Sequence, residues 1–523
     1  MTGSSKFLQQ LTDSEIFIGL VGAVGTNLSV VTDVIKEELS RLNYKTEVIR
    51  LSDILKFIPK YNDKRKDGLP EDQRIQSLMK AGDDLRESTK AGEALALLGI
   101  SAIREFRQES LKEEERPIPR QAYIFRSLKH PEEVNKLKKI YGSAFAVVSI
   151  YAPRSERVDR LAERIAESKR DSDKTQYRSN AEKLVALDAK SGHRKYGQNV
   201  QDTFPLGDVF IRMAEKEAIR KDVKRFLESW FGHPFHTPRK DEYGMFHAYT
   251  VSLRSADLSR QVGAVITSEN GEILAVGCND VPKALGGTVW EGDPGDFRDF
   301  QVGYDSSAIM KDRIIAELLG KLKEKGWFSD QFSALDGKEL LNKALNDDDS
   351  PLNGARVTSI LEFGRIVHAE MSAIMDAARR GVPLQGATLY CTTFPCHMCA
   401  RHIISAGIKR VVFIEPYPKS MAKDLYPKTI ALDEEGDQSS SVVFESFSGI
   451  APSKYIDLFK MKKRKNKDGT IVNWDPVDSF PSVGMLVPTY QFVETVITDH
   501  INKNRTLFGL QEKTKKTEKG GES

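Results

Sequence analysis

Two rhythms of apolar and polar residues divide the chain. In the first half, Ile16–Val21 is an unbroken apolar run of strand length that enters the turn Gly22-Ala-Val-Gly25-Thr26-Asn27. A helix to about Leu42 follows, with Val30, Val31, Val34, Ile35 and Leu39 on one face. Further strand-like runs at 47–51, 122–126 and 144–151 alternate with helical stretches. That order predicts a parallel sheet covered on both faces. In the second half, Tyr243–Leu258 reads as a helix, and 262–267 and 272–277 as strands around Glu269-Asn270-Gly271, a hairpin signal. Helical periodicity returns after His368 (Met371, Ile374, Met375, Ala378) and after Cys399 (Ala400, Ile403, Ile404, Ala406). With strands at 388–392, 410–414 and 442–447, this half predicts a five-stranded sheet carrying those two helices on one face.

At 523 residues the chain is too long for one ordinary core, so at least two domains are expected. The turn-rich Gly232-His-Pro-Phe-His-Thr-Pro segment places a boundary near 238. The expected domains are 14–237 and 238–500, the latter interrupted by an insertion at about 281–365, and a polar tail over 501–523 expected to be disordered. The formal charge of +3 gives no chain-wide basic field for nucleic acid. Four cysteines, no apolar run of spanning length and no signal pattern lead to the expectation of a reduced, cytoplasmic protein without a membrane anchor.

The chemistry is concentrated in His368-Ala-Glu370 and, 25 residues after Glu370, Pro395-Cys396-His-Met-Cys399. This is the H-x-E…P-C-x-x-C pattern of zinc deaminases. One imidazole (His368) and two thiolates (Cys396, Cys399) leave a fourth position of a tetrahedral Zn²⁺ open, as catalytic sites do. The ion lowers the pKa of water held there, and Glu370 is expected to shuttle protons rather than to bind metal. His397 and His402 are expected to be structural, since a fourth ligand would close the site. Cys391 is expected to pack in the core. His233 and His236 have metal-like spacing but lie in a turn-rich linker with no third ligand assigned, so they are expected to be solvated loop residues.

The strand, glycine turn and helix at 16–42 provide the context of a phosphate cradle, with Gly19, Gly22, Gly25, Thr26 and Asn27 as candidate nucleotide-binding residues. Residues 123–164 and Gly197–Phe204 resemble P-loop nucleotide kinases of the dephospho-CoA, adenylate and deoxynucleotide kinase type. The resemblance implies a P-loop-kinase-like parallel sheet over most of 14–230. The pattern departs from that family where catalysis would occur. Thr26 and Asn27 stand in place of Lys and Ser/Thr, and Arg126 in place of a metal-holding Asp. A regulatory nucleotide site is therefore expected rather than phosphotransfer. Arg154 and Arg157 are read as solvated.

Ser255–Val265, Val276–Asp280, His368–Glu370 and Tyr390–Cys396 resemble the deoxycytidylate deaminase family of the cytidine deaminase superfamily, over about 245–460. This implies a three-layer α/β/α domain acting on free dCMP or dCTP. With the kinase-like half in front, the whole chain resembles the two-domain antiviral dCTP/dCMP deaminases of bacteria, which deplete deoxycytidine nucleotides during phage infection. The same resemblance implies Asn279 as a sugar and base contact, and Arg260 as a phosphate contact whose planar fork suits phosphate oxygens. Tyr417 and Lys419 are candidates for stacking and phosphate contact. Implied partners are the nucleotide substrate, a nucleotide effector at the first domain, an inhibitory RNA and further copies of the chain. Gly286–Gly295, around Trp290, is suited to a lid. The absence of Cys and His between Val281 and Ile366 argues against a second zinc site there. Six cations in Lys460–Lys467 leave open a second reading, deamination of a base in RNA or single-stranded DNA. A third is a nucleotide-sensing regulator with a deaminase output.

Overall fold

The computed structural model describes residues 14–62, 68–112, 116–190, 195–346, 350–352, 355–360, 363–415, 420–433, 440–481 and 490–511. The fold divides into two compact units, Met1–Arg239 with Ser448–Ser523, and Lys240–Phe447. Among the described residues, no helix is long and apolar enough to cross a membrane.

The first unit is built on strands β1 (Ile16–Gly22), β2 (Lys45–Arg50), β3 (Gln121–Leu128), β4 (Phe145–Tyr151) and β5 (Val209–Arg212). They pair in parallel in the order β5-β4-β1-β3-β2. β1 is buried along its whole length, as expected of a central parallel strand packed on both faces. The helix Leu28–Arg41 covers one side with Val31, Val34, Ile35 and Leu39.

Residues 448–500 belong to this first unit, although sequence analysis assigns them to the second. Their anchors are long-range contacts that periodicity does not reveal. A two-residue strand, Gly449–Ile450, adds antiparallel to β5. The C-terminal helix Tyr490–Lys503 brings Glu494 to Arg107, whose guanidinium also holds both oxygens of Glu15 (2.9 and 2.7 Å). Tyr123 and Tyr490 donate to Glu15, and Tyr141 to Glu494, which satisfies carboxylates that are almost wholly buried. This helix extends into the span expected to be a disordered tail. Residues 512–523 lie outside the described residues.

The second unit holds β6 (Gly263–Thr267), β7 (Ile273–Cys278), β8 (Thr388–Thr393), β9 (Arg410–Glu415), β10 (Ile430–Leu432) and β11 (Val442–Ser446). Its sheet has the order β10-β11-β9-β8-β6-β7, antiparallel through β6 and parallel from β8 onward. Among the described residues it has six strands rather than the expected five, because three-residue β10 is too short to carry a pattern. Two glycines set the layer spacing. A Cβ on Gly277 would lie 2.4 Å from Ala369 O and Ala373 N of the helix Ala369–Arg380. A Cβ on Gly263 would lie 1.9 Å from Ala248 O of the helix Lys240–Ser252, on the opposite face. Helices therefore approach the hairpin from both sides, giving a three-layer α/β/α arrangement.

Candidate active site and metal centre

His368 is the residue from which the helix Ala369–Arg380 starts, and Cys396 the residue from which the helix His397–Ser405 starts. Cys399 lies in the first turn of the latter. Both helices direct their N-terminal N–H groups toward one place, where the backbone dipoles favour carboxylate and thiolate. The preceding residues have extended backbone. Phe394 N is fixed by Glu415 O at 2.8 Å, which delivers the Pro395–Cys396 turn from the end of β8.

The structure brings His368, Cys396 and Cys399 together, with ligand atoms all within 4.8 Å of one another. His368 Nδ1 lies 3.2 Å from Cys396 Sγ and 3.4 Å from Cys399 Sγ. The edge of a zinc tetrahedron with one nitrogen and one sulfur is about 3.5 Å, from Zn–N near 2.0 Å and Zn–S near 2.3 Å. The donor set and its spacing fit Zn²⁺. Among the described residues His397 and His402 do not join the cluster, and Cys391 is buried in β8 as part of the core. The Cys396 thiol is pulled far down by the Cys399 hydrogen bond and by His368, while Cys399 is pushed up by the same pairing. Glu370 is 4% exposed. Burial pushes its carboxyl up, and the charge of Cys396 adds to this.

These groups open onto a cleft of about 310 Å³. Arg260, Asn279 and Phe394 line it, together with Glu370 and two of the three cluster residues, His368 and Cys396. The Asn279 amide is engaged with the protein: Oδ1 accepts from Val262 N at 2.7 Å, and Nδ2 donates to Arg260 O at 2.8 Å. It therefore shapes the loop that carries Arg260. Arg260 Nη1 is 3.7 Å from Glu415 Oε2, and both side chains are about half exposed. Tyr417 and Lys419 lie outside the described residues.

Sequence reasoning missed one wall. Ser307, Lys311 and Ile314 of the insertion helix Ser306–Glu324 line the cleft, as does Phe363. No local signal marks them; only the path of the insertion brings them there. The expected lid lies elsewhere. Trp290 stacks under Arg254 (3.4 Å to the ring centre), in a separate hollow shared with Lys283 and Arg379.

In the first unit the glycine turn does not match the expected cradle throughout. Gly19 is inside β1, where a Cβ would lie 2.5 Å from Leu128 Cδ1, so it is a packing glycine. Gly22 ends β1, while Gly25, Thr26 and Asn27 form the turn into the following helix. Gly25 has φ +89°, and its open side abuts Arg157 O. Val24 N donates to Asp188 Oδ2 at 2.8 Å, and Lys129 Nζ donates to Gly22 O at 2.9 Å. Arg157 is not solvated as expected: it reaches Val24 O and Ala152 O. The Thr26 hydroxyl is buried without a hydrogen-bond partner.

The family described as the cytidine and deoxycytidylate deaminase zinc-binding region matches residues 238–415. The deoxycytidylate deaminase of Enterobacteria phage T2 is 31% identical over 178 residues, 33% of this chain and 78% of that protein. The phage T4 deoxycytidylate deaminase is 32% identical over 173 residues, 33% of this chain and 76% of that protein. The crystal structure of a cyanophage S-TIM5 dCMP deaminase with dCMP and dUMP aligns at 20% identity and TM-score 0.23, over 41% of this chain and all of that one.

Proposed function

The chain belongs to the deoxycytidylate deaminase family, and we propose that it hydrolyses the exocyclic amine of a free deoxycytidine nucleotide, dCMP or dCTP. Water adds at C4 of the cytosine, ammonia leaves, and the uracil counterpart remains. The observation that carries this reading is Glu370, buried beside the His368, Cys396 and Cys399 donors and lining the same cleft.

His368, Cys396 and Cys399 would hold Zn²⁺, which when bound supplies the Lewis acidity that makes water nucleophilic near neutral pH. Glu370 accepts a proton from the attacking water at a carboxylate oxygen and delivers it to N3 of the base; it then takes the remaining proton of the added C4 hydroxyl and gives it to the departing amine as the C4 carbonyl forms and ammonia leaves. Burial raises its proton affinity, which suits a group that must both take and return a proton. Phe394 offers an apolar wall, braced edge-on by Phe413 at 4.8 Å. Arg260 and Lys311 line the same cleft and give the substrate phosphates two cations. Asn279 acts through the loop it fixes, and any direct sugar contact would add to that.

The finer reading follows the resemblance to two-domain antiviral deaminases: depletion of the deoxycytidine nucleotide pool, with the first unit as a nucleotide-responsive regulator. Its support there is the strand–turn–helix at 16–41 and the orphaned Thr26 hydroxyl. In the basic run Lys462 and Arg464 are tied to the backbone oxygens of Ser229 and Pro234, which leaves Lys460, Lys463, Lys465 and Lys467 as the exposed cations on which the polynucleotide reading would rest. Ammonia release should be measured in parallel from dCMP, dCTP, CMP, CTP and a cytidine-rich oligonucleotide. Turnover confined to deoxycytidine nucleotides is expected; turnover of the oligonucleotide alone would overturn the proposal.

A further inference from the structure

The fold brings a second metal-ligand group together outside the deaminase cleft. The helix Lys216–Trp230 ends four residues before Pro234, and Gly232 (φ +85°) turns the chain back on it. His233 N then hydrogen-bonds Glu228 O at 2.9 Å. The turn sets the His233 and His236 rings 4.3 Å apart, tilted by 34°, and His236 Nε2 2.8 Å from Glu228 Oε2. One ligand atom from each of Glu228, His233 and His236 lies within 4.8 Å of the others. Glu228, on the preceding helix, is the third donor that the linker sequence does not reveal.

We propose that Glu228, His233 and His236 form a second site for a borderline divalent cation of the Zn²⁺ class, independent of the His368, Cys396 and Cys399 centre. Two imidazoles and one carboxylate are a donor set such ions accept, and a fourth position stays open to water. The cation takes the place of the hydrogen between His236 Nε2 and Glu228 Oε2, and the ring then carries its proton on Nδ1, which leaves the Nε2 lone pair for the metal. Small side-chain rotations bring the donors to the tetrahedral edge of about 3.3 Å set by metal–ligand distances near 2.0 Å. Lys224, 3.8 Å from Glu228 Oε1, and the nearby Lys462 temper the affinity.

The surroundings indicate a structural role. Trp474 packs edge-on against His233 at 4.8 Å and donates Nε1 to Phe231 O. Arg464 Nε donates to Pro234 O at 2.7 Å. The cation therefore fastens the turn that leaves the first unit at the point where the returning C-terminal segment is tied to it.

The test is the zinc content of the full-length protein after dialysis against a weak chelator. The wild type should carry two equivalents. Glu228→Gln and the double variant His233→Ala/His236→Ala should carry one, with the cobalt–thiolate absorption of the cysteine centre retained after exchange with Co²⁺. Conversely, Cys396→Ala/Cys399→Ala should keep one equivalent and show a zinc-dependent rise in melting temperature. If the histidine variants lose all metal through misfolding, the cysteine variant decides. One equivalent in the wild type with none in the cysteine variant would overturn the proposal, and this result is separable from any result on turnover.

Discussion

Each unit places the start of a helix just beyond a strand, at β1 in the first and at β8 in the second, and the two starts are used in opposite ways. In the first, the backbone N–H of Val24 is already taken by the Asp188 carboxylate, and Lys129 and Arg157 donate to the carbonyls of Gly22 and Val24. One backbone N–H of that turn thus already faces a carboxylate of the protein itself. In the second, two helix starts converge on the His368, Cys396 and Cys399 cluster, and His368, Glu370 and Cys396 line a cleft. A helix N-terminus becomes a reactive site when the fold withholds an internal counter-charge from it. The first unit supplies that charge; the second leaves it to metal and substrate.

The largest expected effect comes from removing a donor in the second unit. Cys399→Ala should abolish zinc at the deaminase centre and reduce ammonia release to background, measured by metal analysis alongside turnover. Retained turnover would mean that the contrast between the units is misdrawn.

Next are the two glycines of the hairpin. Gly277→Ala and Gly263→Ala should each cost about 1–3 kcal/mol in urea unfolding, because their Cβ atoms meet backbone that cannot rotate away. Only Gly277→Ala presses on the helix that carries Glu370. It should therefore also lower turnover per folded molecule, whereas Gly263→Ala should leave it near wild type. Equal losses would detach the helix position from the chemistry.

The smallest effect is expected at the first unit. Asp188→Asn keeps an acceptor for Val24 N while removing the negative charge. Binding of ATP to the full-length protein should tighten about tenfold, the order of one partly screened unit charge. Unchanged binding in calorimetry would show that Asp188 does not guard the turn.

What the sequence discloses follows the range of the interactions involved. His368, Glu370, Cys396 and Cys399 were legible because each pair sits at a helix start, where local spacing alone fixes geometry. β1 and the helix Leu28–Arg41 were legible from apolar runs and periodicity. Gly19 was misread because a glycine required by the packing of Leu128 and Phe145 looks the same in sequence as one required by a loop. Lys311 and Ile314 were invisible as cleft residues because the insertion's path, not its pattern, places them. The attachment of residues 448–500 to the first unit rests on contacts such as Arg107 with Glu494, 387 positions apart. Glu228 was overlooked beside His233 and His236 because the intervening turn reverses the chain.

The most direct test of the central claim is Glu370→Ala, with zinc content and ammonia release from dCMP measured on the same preparation. Full zinc occupancy with turnover reduced about 10²- to 10⁴-fold is the predicted result, the range expected for loss of a general acid–base. Turnover within a factor of a few of wild type would remove Glu370 from the proton path and contradict the account.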